Sequence, residues 1–565
     1  MDSIPSGRQL VICCDGTNNN LTGNSSDTNV VKLAQLLAQS PANANQMVLY
    51  DPGVGNPGEL PGTTWLDGLS RWAQRVAGLA FGRGVYENMA DCYLFLMRHY
   101  QPGDQIYIFG FSRGAFTARS VAGLVNQFGI LRPHMESMLP TLIHTYFSDR
   151  ELKKVQIAAI AKQASELFAN AASRVVEIHF VGVWDTVASV GMGPFTAKIT
   201  ALPTIKGKRF LNVRQALALD EQRAQFKPRL YADNNGTYQT STLKPATITQ
   251  LWFRGAHCDV GGGFVWGQTG IADRALCWLV SEAVQCGLAL QYNGAWLDSE
   301  VAVASAFANA IGVETTPLVH NQFYTSPLWA LTGMAVRNTE KVSLYTGPSH
   351  SVVAHEHTSV TEYAYHFPNN TVWAQPRSVN GLATGLLAVL FFMFAHGEAL
   401  NPNAFAWTLE WQALAARASS DLGQNAAFAH WQLLWWQGED LGTVQARFGS
   451  TLWALVWDTG LISAYSYVLS WFAVAAFARH AGLRRVGQVP AAWLNTLGWA
   501  LPVAVCSDLL ENFATWLVVW FMTRGNGVWA AVVACPMSFF SVAKWVGLLG
   551  VALLIVIPAR SSSDG

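Results

Sequence analysis

An α/β fold with a largely parallel sheet flanked by helices is what this sequence predicts for its first two thirds, with a mainly helical transmembrane region after it. Short apolar runs that read as buried strands alternate with longer helical patterns from residue 9 to about 290, the alternation that places parallel strands between helices. One of these runs, Ile106-Tyr107-Ile108-Phe109, breaks into Gly110-Phe111-Ser112-Arg113-Gly114 and continues as a small, apolar helical stretch, so strand and helix meet there at a tight turn. Charged residues make up only 13% of the 565-residue chain, against roughly a quarter in soluble domains, and apolar stretches crowd its last third.

The elements follow in order. Gln9–Cys14 is an apolar strand that runs straight out of an N-terminus lacking the basic, apolar and small-residue layout of a secretory signal. Asn29–Gln39 has helical spacing, Gln46–Tyr50 is a second strand, and Gly84–Tyr100 a long helix. Gln105–Phe109 is the strand before the glycine-flanked turn and Ala115–Phe128 the helix after it. Helices at Met138–Phe147 and Glu151–Ala172 precede a strand at Val176–Trp184, and a strand at Ile248–Phe253 precedes a helix at Asp273–Cys286. Residues 291–378, rich in Asn, Thr, Ser, His and Tyr and without a period, are expected to complete a catalytic domain spanning 1–378 as irregular excursions.

Residues 379–565 form the expected membrane region. Four stretches, approximately 378–397, 452–478, 491–522 and 528–558, carry few charges and approach or exceed the roughly 20 residues that cross a hydrocarbon core. The alternative for such stretches is a set of apolar helices buried in a soluble domain. Lys and Arg favour the side of Arg377, Arg479, Arg484, Arg485 and Arg560 over that of Arg417, Arg447 and Arg524, which places the catalytic domain on the cytoplasmic side of a multi-pass protein. Asp458, Asp508, Glu511 and Lys544 fall inside these stretches, where charges are costly unless partnered, so they are expected to meet as a polar staple between helices, with a proton or ion pathway as the alternative.

Composition excludes some functions. With 36 basic and 36 acidic residues the chain has no net field to attract nucleic acid. Its eight cysteines form no CxxC pair and mostly lie in apolar stretches, which points to buried reduced thiols rather than a disulfide framework or a zinc site.

The Gly110–Gly114 turn has the spelling of a nucleophile elbow, in which glycines two residues either side of Ser112 let strand and helix pack closely and hold the hydroxyl out into solvent at a helix N-terminus. A serine nucleophile needs a base, an acid that orients the base, and donors for the oxyanion. Asp185 ends the strand at 176–184, and His257 follows the strand at 248–253 in a glycine-rich turn. The order Ser112, Asp185, His257 is that of nucleophile, acid and base in α/β-hydrolases. Asp259 is a rival acid. Residues 10–20, LVICCDGTNNN, place Gly16 and Thr17 at a strand end, where their N–H groups could join that of Arg113 as an oxyanion hole. Asp15 and Asp259 are the alternative ligands of a divalent metal.

These segments resemble one family. LVICCDGTNNN, YIFGFSRGAFTARSVAGLV, GVWDTVASVG, QALALDEQRAQFKP and LWFRGAHCDVGGGF are similar to the successive motifs of the type VI secretion lipase effectors of the first class, over residues 9 to about 290. The resemblance implies a Ser/Asp/His hydrolase acting on phospholipid esters without a cofactor, with Ser112, His257 and Asp185 in those roles. It also implies delivery to a target cell, with the secretion machinery or an immunity protein as partners. One departure is Gln215, where the family usually has histidine. Two other readings stay open: a metal-assisted phosphohydrolase using Asp15 and Asp259, and a non-catalytic membrane interaction protein that retains the fold.

Overall fold

The computed structural model describes residues 7–16, 26–40, 45–53, 79–147, 154–187, 210–231, 247–265, 268–310, 318–325, 327–337, 465–478, 491–524 and 527–556, with residues 459 and 462 and several short strands. Eight strands form one sheet: β1 (Gln9–Cys14), β2 (Gln46–Asp51), β3 (Gln105–Phe111), β4 (Ile178–Trp184), β5 (Phe210–Ala218), β6 (Thr247–Phe253), β7 (Ser343–Tyr345) and β8 (Ser351–Val352). Their order is β8-β7-β6-β5-β4-β3-β1-β2, and every neighbouring pair is parallel except β7 with β8. The chain steps from β1 outward to β2 and then returns to β3 on the other side of β1. This reversal is the topological switch point at which open α/β sheets build their sites.

Alternation along the central strands divides the core into two layers. Leu10, Ile12, Cys14, Ile106, Ile108, Val181 and Val183 face one layer, covered by helices α2 (Leu79–His99), α3 (Arg113–Phe128), α4 (Leu139–Phe147) and α5 (Lys154–Phe168). Val11, Cys13, Tyr107, Phe109, Phe111, Phe180 and Trp184 face the other. That side holds α1 (Asn29–Gln39), the short α6 (His257–Gly261), α7 (Gly270–Gln285) and α8 (Glu300–Ala310). Thr28 caps α1 by accepting from the N–H of Val31. The expected strands and helices of the first 290 residues appear within a few residues of their expected ends, and β5 is an addition to them.

The chain divides into two compact units, the first comprising Met1–Asn321 and Arg337–Ala374, the second Gln322–Val336 and Gln375–Gly565. The excursion 322–336 therefore groups with the C-terminal region and not with the sheet. In the second unit, a helix at 465–478 accompanies α9 (Ala491–Leu497), α10 (Ala500–Thr523) and α11 (Gly527–Val556). Phe323, Ala330 and Met334 pack with Ile462, Val474, Phe477, Leu494, Leu501, Val505, Val551 and Leu554 in a core of their own. Gly547 and Gly550 let α11 approach Ala500 and Ala504 of α10 at distances a Cβ would forbid, as small residues do between closely packed helices.

Among the described residues no helix is long and apolar enough to cross a membrane, so the four expected spans lack structural support. Part of the apolar character that suggested them goes into this helical core, while other large apolar side chains of α10 and α11 are exposed. The expected span at 378–397 and much of that at 452–478 lie outside the described residues. The polar staple does form: the Lys544 ammonium meets Asp508 at 3.0 Å and Glu511 at 2.8 Å, and the Tyr465 hydroxyl donates to Asp508. Asp458 is outside the described residues.

Candidate active site

Ser112 stands between β3 and α3 with φ 58° and ψ −120°, a backbone conformation that an L-residue adopts only when its surroundings impose it. The surroundings are the two glycines. A Cβ on Gly110 would lie 2.5 Å from the carbonyl oxygen of Gly114, and one on Gly114 would lie 2.3 Å from that of Cys14. The turn is thus clamped between its own helix and the end of β1. The Ser112 N–H donates to Trp184 O (3.1 Å) and Val187 N–H donates to Ser112 O (3.4 Å), fixing the elbow to the end of β4. The expected projection into solvent does not hold, since Ser112 is only 8% exposed. The first intrahelical bond of α3 runs from Phe116 N–H to Ser112 O, so the N–H groups of its first turn, that of Arg113 included, point toward the elbow as an anion-favouring helix end.

Asp185 also takes positive φ, 39°, one residue beyond β4. Its Oδ2 lies 2.6 Å from Nδ1 of His257, and its Oδ1 accepts from Ala218 N–H at 3.0 Å. Arg337 grips the same carboxylate through both terminal nitrogens, Nη2 at 2.9 Å from Oδ2, while donating to the carbonyls of Ala218 and Phe226. Burial pushes the Asp185 carboxyl up, but the Arg337 guanidinium and the His257 hydrogen bond more than offset it and hold the group well below the usual carboxylate range. It is an anion at any working pH.

His257 opens α6, and its ring lies between Phe111 (centroids 4.6 Å apart) and Phe226 (5.0 Å). Phe111 is the residue immediately before Ser112, so His257 and the elbow are neighbours. The turn carrying His257 is held by the acidic pair that follows β5: Asp220 accepts from Gly255 N–H and Arg254, and Glu221 accepts from His257 N–H at 3.2 Å. Arg223 neutralises Glu221 with two side-chain bonds, and despite burial its charge brings the Glu221 carboxyl down to about 2. Burial lowers the His257 pKa, with Asp185 pulling the other way. The imidazole is therefore neutral near pH 7, Nδ1–H toward Asp185. Its Nε2 is buried with no hydrogen-bond partner among the described residues, and no bond from Ser112 Oγ to it is formed. A base awaiting a proton from a nucleophile has this arrangement, and the bond in such sites commonly tightens only with substrate.

The other expected residues fall elsewhere. Gly16 N–H donates to Asp15 Oδ1 at 2.6 Å and so is engaged by its own neighbour, while Thr17 lies outside the described residues. Asp15 also accepts from Thr28 and from Tyr50, each at 2.9 Å. Asp259 accepts from Ala256 N–H (2.7 Å), capping α6, and from His320 N–H (2.9 Å), and its Oδ1 meets His320 Nδ1. Both carboxylates of the alternative metal pair are thus taken up by protein donors, and among the described residues neither belongs to a group of three potential metal ligands. Gln215, in place of the family's histidine, bridges Thr186 (2.7 Å) and Arg119 through Oε1 and Arg229 O through Nε2. That amide ties the Asp185 turn to β5. Sequence reasoning missed Arg337 and His320, single residues in a stretch without periodicity.

Residues 8–282 match the family described as T6SS, Phospholipase effector Tle1-like, catalytic domain. This segment is similar to that catalytic domain. The matched segment contains Ser112, Asp185 and His257, while Arg337 and His320 lie beyond the match. The chain is also 32% identical over 232 residues to the uncharacterized protein YEL023C of Saccharomyces cerevisiae (strain ATCC 204508 / S288c), a stretch that is 39% of this chain and 32% of that protein. The chain thus spans about a third of that relative's length. A crystal structure of an uncharacterized protein from Pseudomonas aeruginosa aligns with 17% identity and a TM-score of 0.30, over 77% of this chain and 63% of that one.

Proposed function

We propose that this chain is a membrane-attached carboxylic ester hydrolase of the phospholipase type, working through Ser112, His257 and Asp185. The observation that carries the reading is the 2.6 Å contact between Asp185 Oδ2 and His257 Nδ1, made beside a serine in the strained elbow conformation. Ser112 Oγ attacks the ester carbonyl as His257 Nε2 takes its proton. Asp185 fixes the tautomer and stabilises the imidazolium. The tetrahedral oxyanion is met by N–H groups at the start of α3. His257 then protonates the departing alcohol, leaving an acyl group on Ser112 that water removes by the same steps in reverse.

The family description supports a phospholipid substrate and delivery by a type VI secretion system. Attachment to lipid is supported by the apolar side chains that α10 and α11 leave exposed, among them Phe513, Trp529, Phe539, Val546 and Leu549, since a patch of this kind marks a membrane or protein contact. The test is labelling with a fluorophosphonate followed by lipid analysis with the purified full chain. Wild-type protein is expected to label at Ser112 and to release fatty acid from phospholipid vesicles. Ser112→Ala should abolish both, because a triad without its nucleophile keeps only binding and oxyanion contributions. Retention of a tenth of the wild-type rate by folded Ser112→Ala would refute the elbow as the catalytic centre.

A further inference from the structure

Beneath the elbow, on the opposite face of β1 from Cys13, three potential ligands converge that the esterase reading does not use. Cys14 ends β1, Asp51 ends β2, and Cys92 comes from the middle of α2. Their ligand atoms all lie within 4.8 Å of one another. The two thiol sulfurs are 3.6 Å apart. Cys14 and Cys92 have no exposure and Asp51 has 8%.

We propose that Cys14, Cys92 and Asp51 bind one thiophilic divalent ion of the zinc type. The distance between the sulfurs fits. Two thiolates on one tetrahedral zinc at about 2.3 Å each stand about 3.8 Å apart, so the ion enters with a small adjustment of both side chains. A disulfide would instead require closure to about 2.05 Å, pulling β1 and α2 together in a packed core. The donor set is consistent as well: two soft sulfurs select zinc over magnesium or calcium, and the carboxylate is an accepted third ligand.

Charge argues the same way. A buried carboxylate is costly unless a cation or a metal compensates it. Among the described residues Asp51 has no cationic partner; its carboxylate accepts from the Cys92 thiol and, at Oδ2, from the amide of Asn88 at 2.8 Å. Asn88 sits one turn before Cys92 on α2 and orients the carboxylate toward the sulfurs, as second-layer donors do for metal ligands. Binding releases the thiol protons to solvent as the two Zn–S bonds form, so affinity rises with pH. The ion would join β1, β2 and α2 directly below Gly114, whose neighbour atom is the Cys14 carbonyl. Its role would be to fix the end of β1 under the elbow, with no part in the ester chemistry.

The experiment uses the full chain, purified reduced and without oxygen, and titrated with Co²⁺ as a spectroscopic stand-in for zinc. The expected result is one equivalent bound per chain. It should give thiolate charge-transfer absorption in the near ultraviolet and tetrahedral d–d bands in the visible, both abolished by added Zn²⁺. Zn²⁺ should raise Tm in wild type, as any ligand of the native state does. Cys92→Ala, checked for folding by circular dichroism, should lose the bands and the Tm response. Cys13→Ala, whose thiol faces the other core layer, should keep them. Asp51→Asn should weaken binding at least about tenfold, the scale of losing an orienting or ligating carboxylate. Absence of the bands in folded wild type, bands that survive Cys92→Ala, or a Cys14–Cys92 disulfide in the reduced preparation would each overturn the proposal. None of these outcomes bears on the labelling of Ser112.

Discussion

Two acids of similar burial face two histidines, and their partners separate their roles. Asp185 holds Nδ1 of His257 and is itself clamped by Arg337. Asp259 caps α6 and holds His320. Asp185→Asn removes the acceptor that selects the His257 tautomer, and turnover of a soluble ester should fall by about 10⁴-fold. Asp259→Asn should slow turnover far less and mainly lower Tm, because what it loses is a helix cap worth about 1 kcal/mol and its bonds to His320. Steady-state rates and thermal melts on the two variants check this, and the opposite ranking would move the orienting role to Asp259. The pH dependence follows from the same residues. His257 must be neutral to act as a base, and burial lowers its pKa below the ordinary histidine value of 6.5. kcat/KM should therefore rise with pH along a limb whose midpoint lies below 6.5, then level off. Stability has the same sign. Below 6.5 the unfolded chain takes up a proton that folded His257 resists, so this contribution is present above that pH and lost as pH falls through the folded value. Asp185, lowered in the folded state, adds a loss at more acid pH.

At the scale of elements, the strands the sequence made legible, β1, β2, β3, β4 and β6, each carry an apolar run, and the most plainly apolar are the central β1, β3 and β4, buried almost throughout. β5 was hidden because Asn212, Arg214 and Gln215 interrupt its run. Arg214 is accommodated by pairing with Glu282 of α7 and Gln215 by its amide network, tertiary partners that no local pattern contains. The same explains the site. Ser112, Asp185 and His257 each end or follow a strand and could be read from position alone, whereas Arg337 and His320 reach their carboxylates from an irregular stretch. The cluster of Cys14, Asp51 and Cys92 has no motif spacing because three different elements supply it. The glycines of the elbow were legible, and the reason for the second is now a contact. Gly114→Ala would place a methyl 2.3 Å from Cys14 O and 2.4 Å from Asp15 O, backbone atoms that cannot rotate away. The helix must shift, at a cost of about 2 kcal/mol or more. A lowered Tm together with slower fluorophosphonate labelling of Ser112 is expected, and a variant with wild-type values in both would show that α3 and β1 do not need this approach.

For the whole molecule, the division into units changes what a truncation should do. A boundary near residue 378 read from the sequence suggests that the first part can stand alone. The structure assigns Gln322–Val336 to the second unit, where Phe323, Ala330 and Met334 are almost fully buried. Chain ends that stop at Ala374 leave this excursion without the helices that cover it, exposing three apolar side chains that each contribute about 1 to 3 kcal/mol by burial. The excursion's last residue is followed directly by Arg337, whose guanidinium supplies the counter-charge to Asp185. Loosening that segment should cost orientation of His257 more than it costs substrate binding. A chain ending at Ala374 is therefore expected to show a lower Tm than the full chain and a reduced kcat on a soluble ester with KM little changed, because the loss falls on an interaction made in the transition state. Addition of vesicles would not restore it, as the soluble ester needs no membrane. If the shortened chain matched the full chain in kcat and Tm, the excursion would be dispensable and Arg337 would be held by the sheet alone.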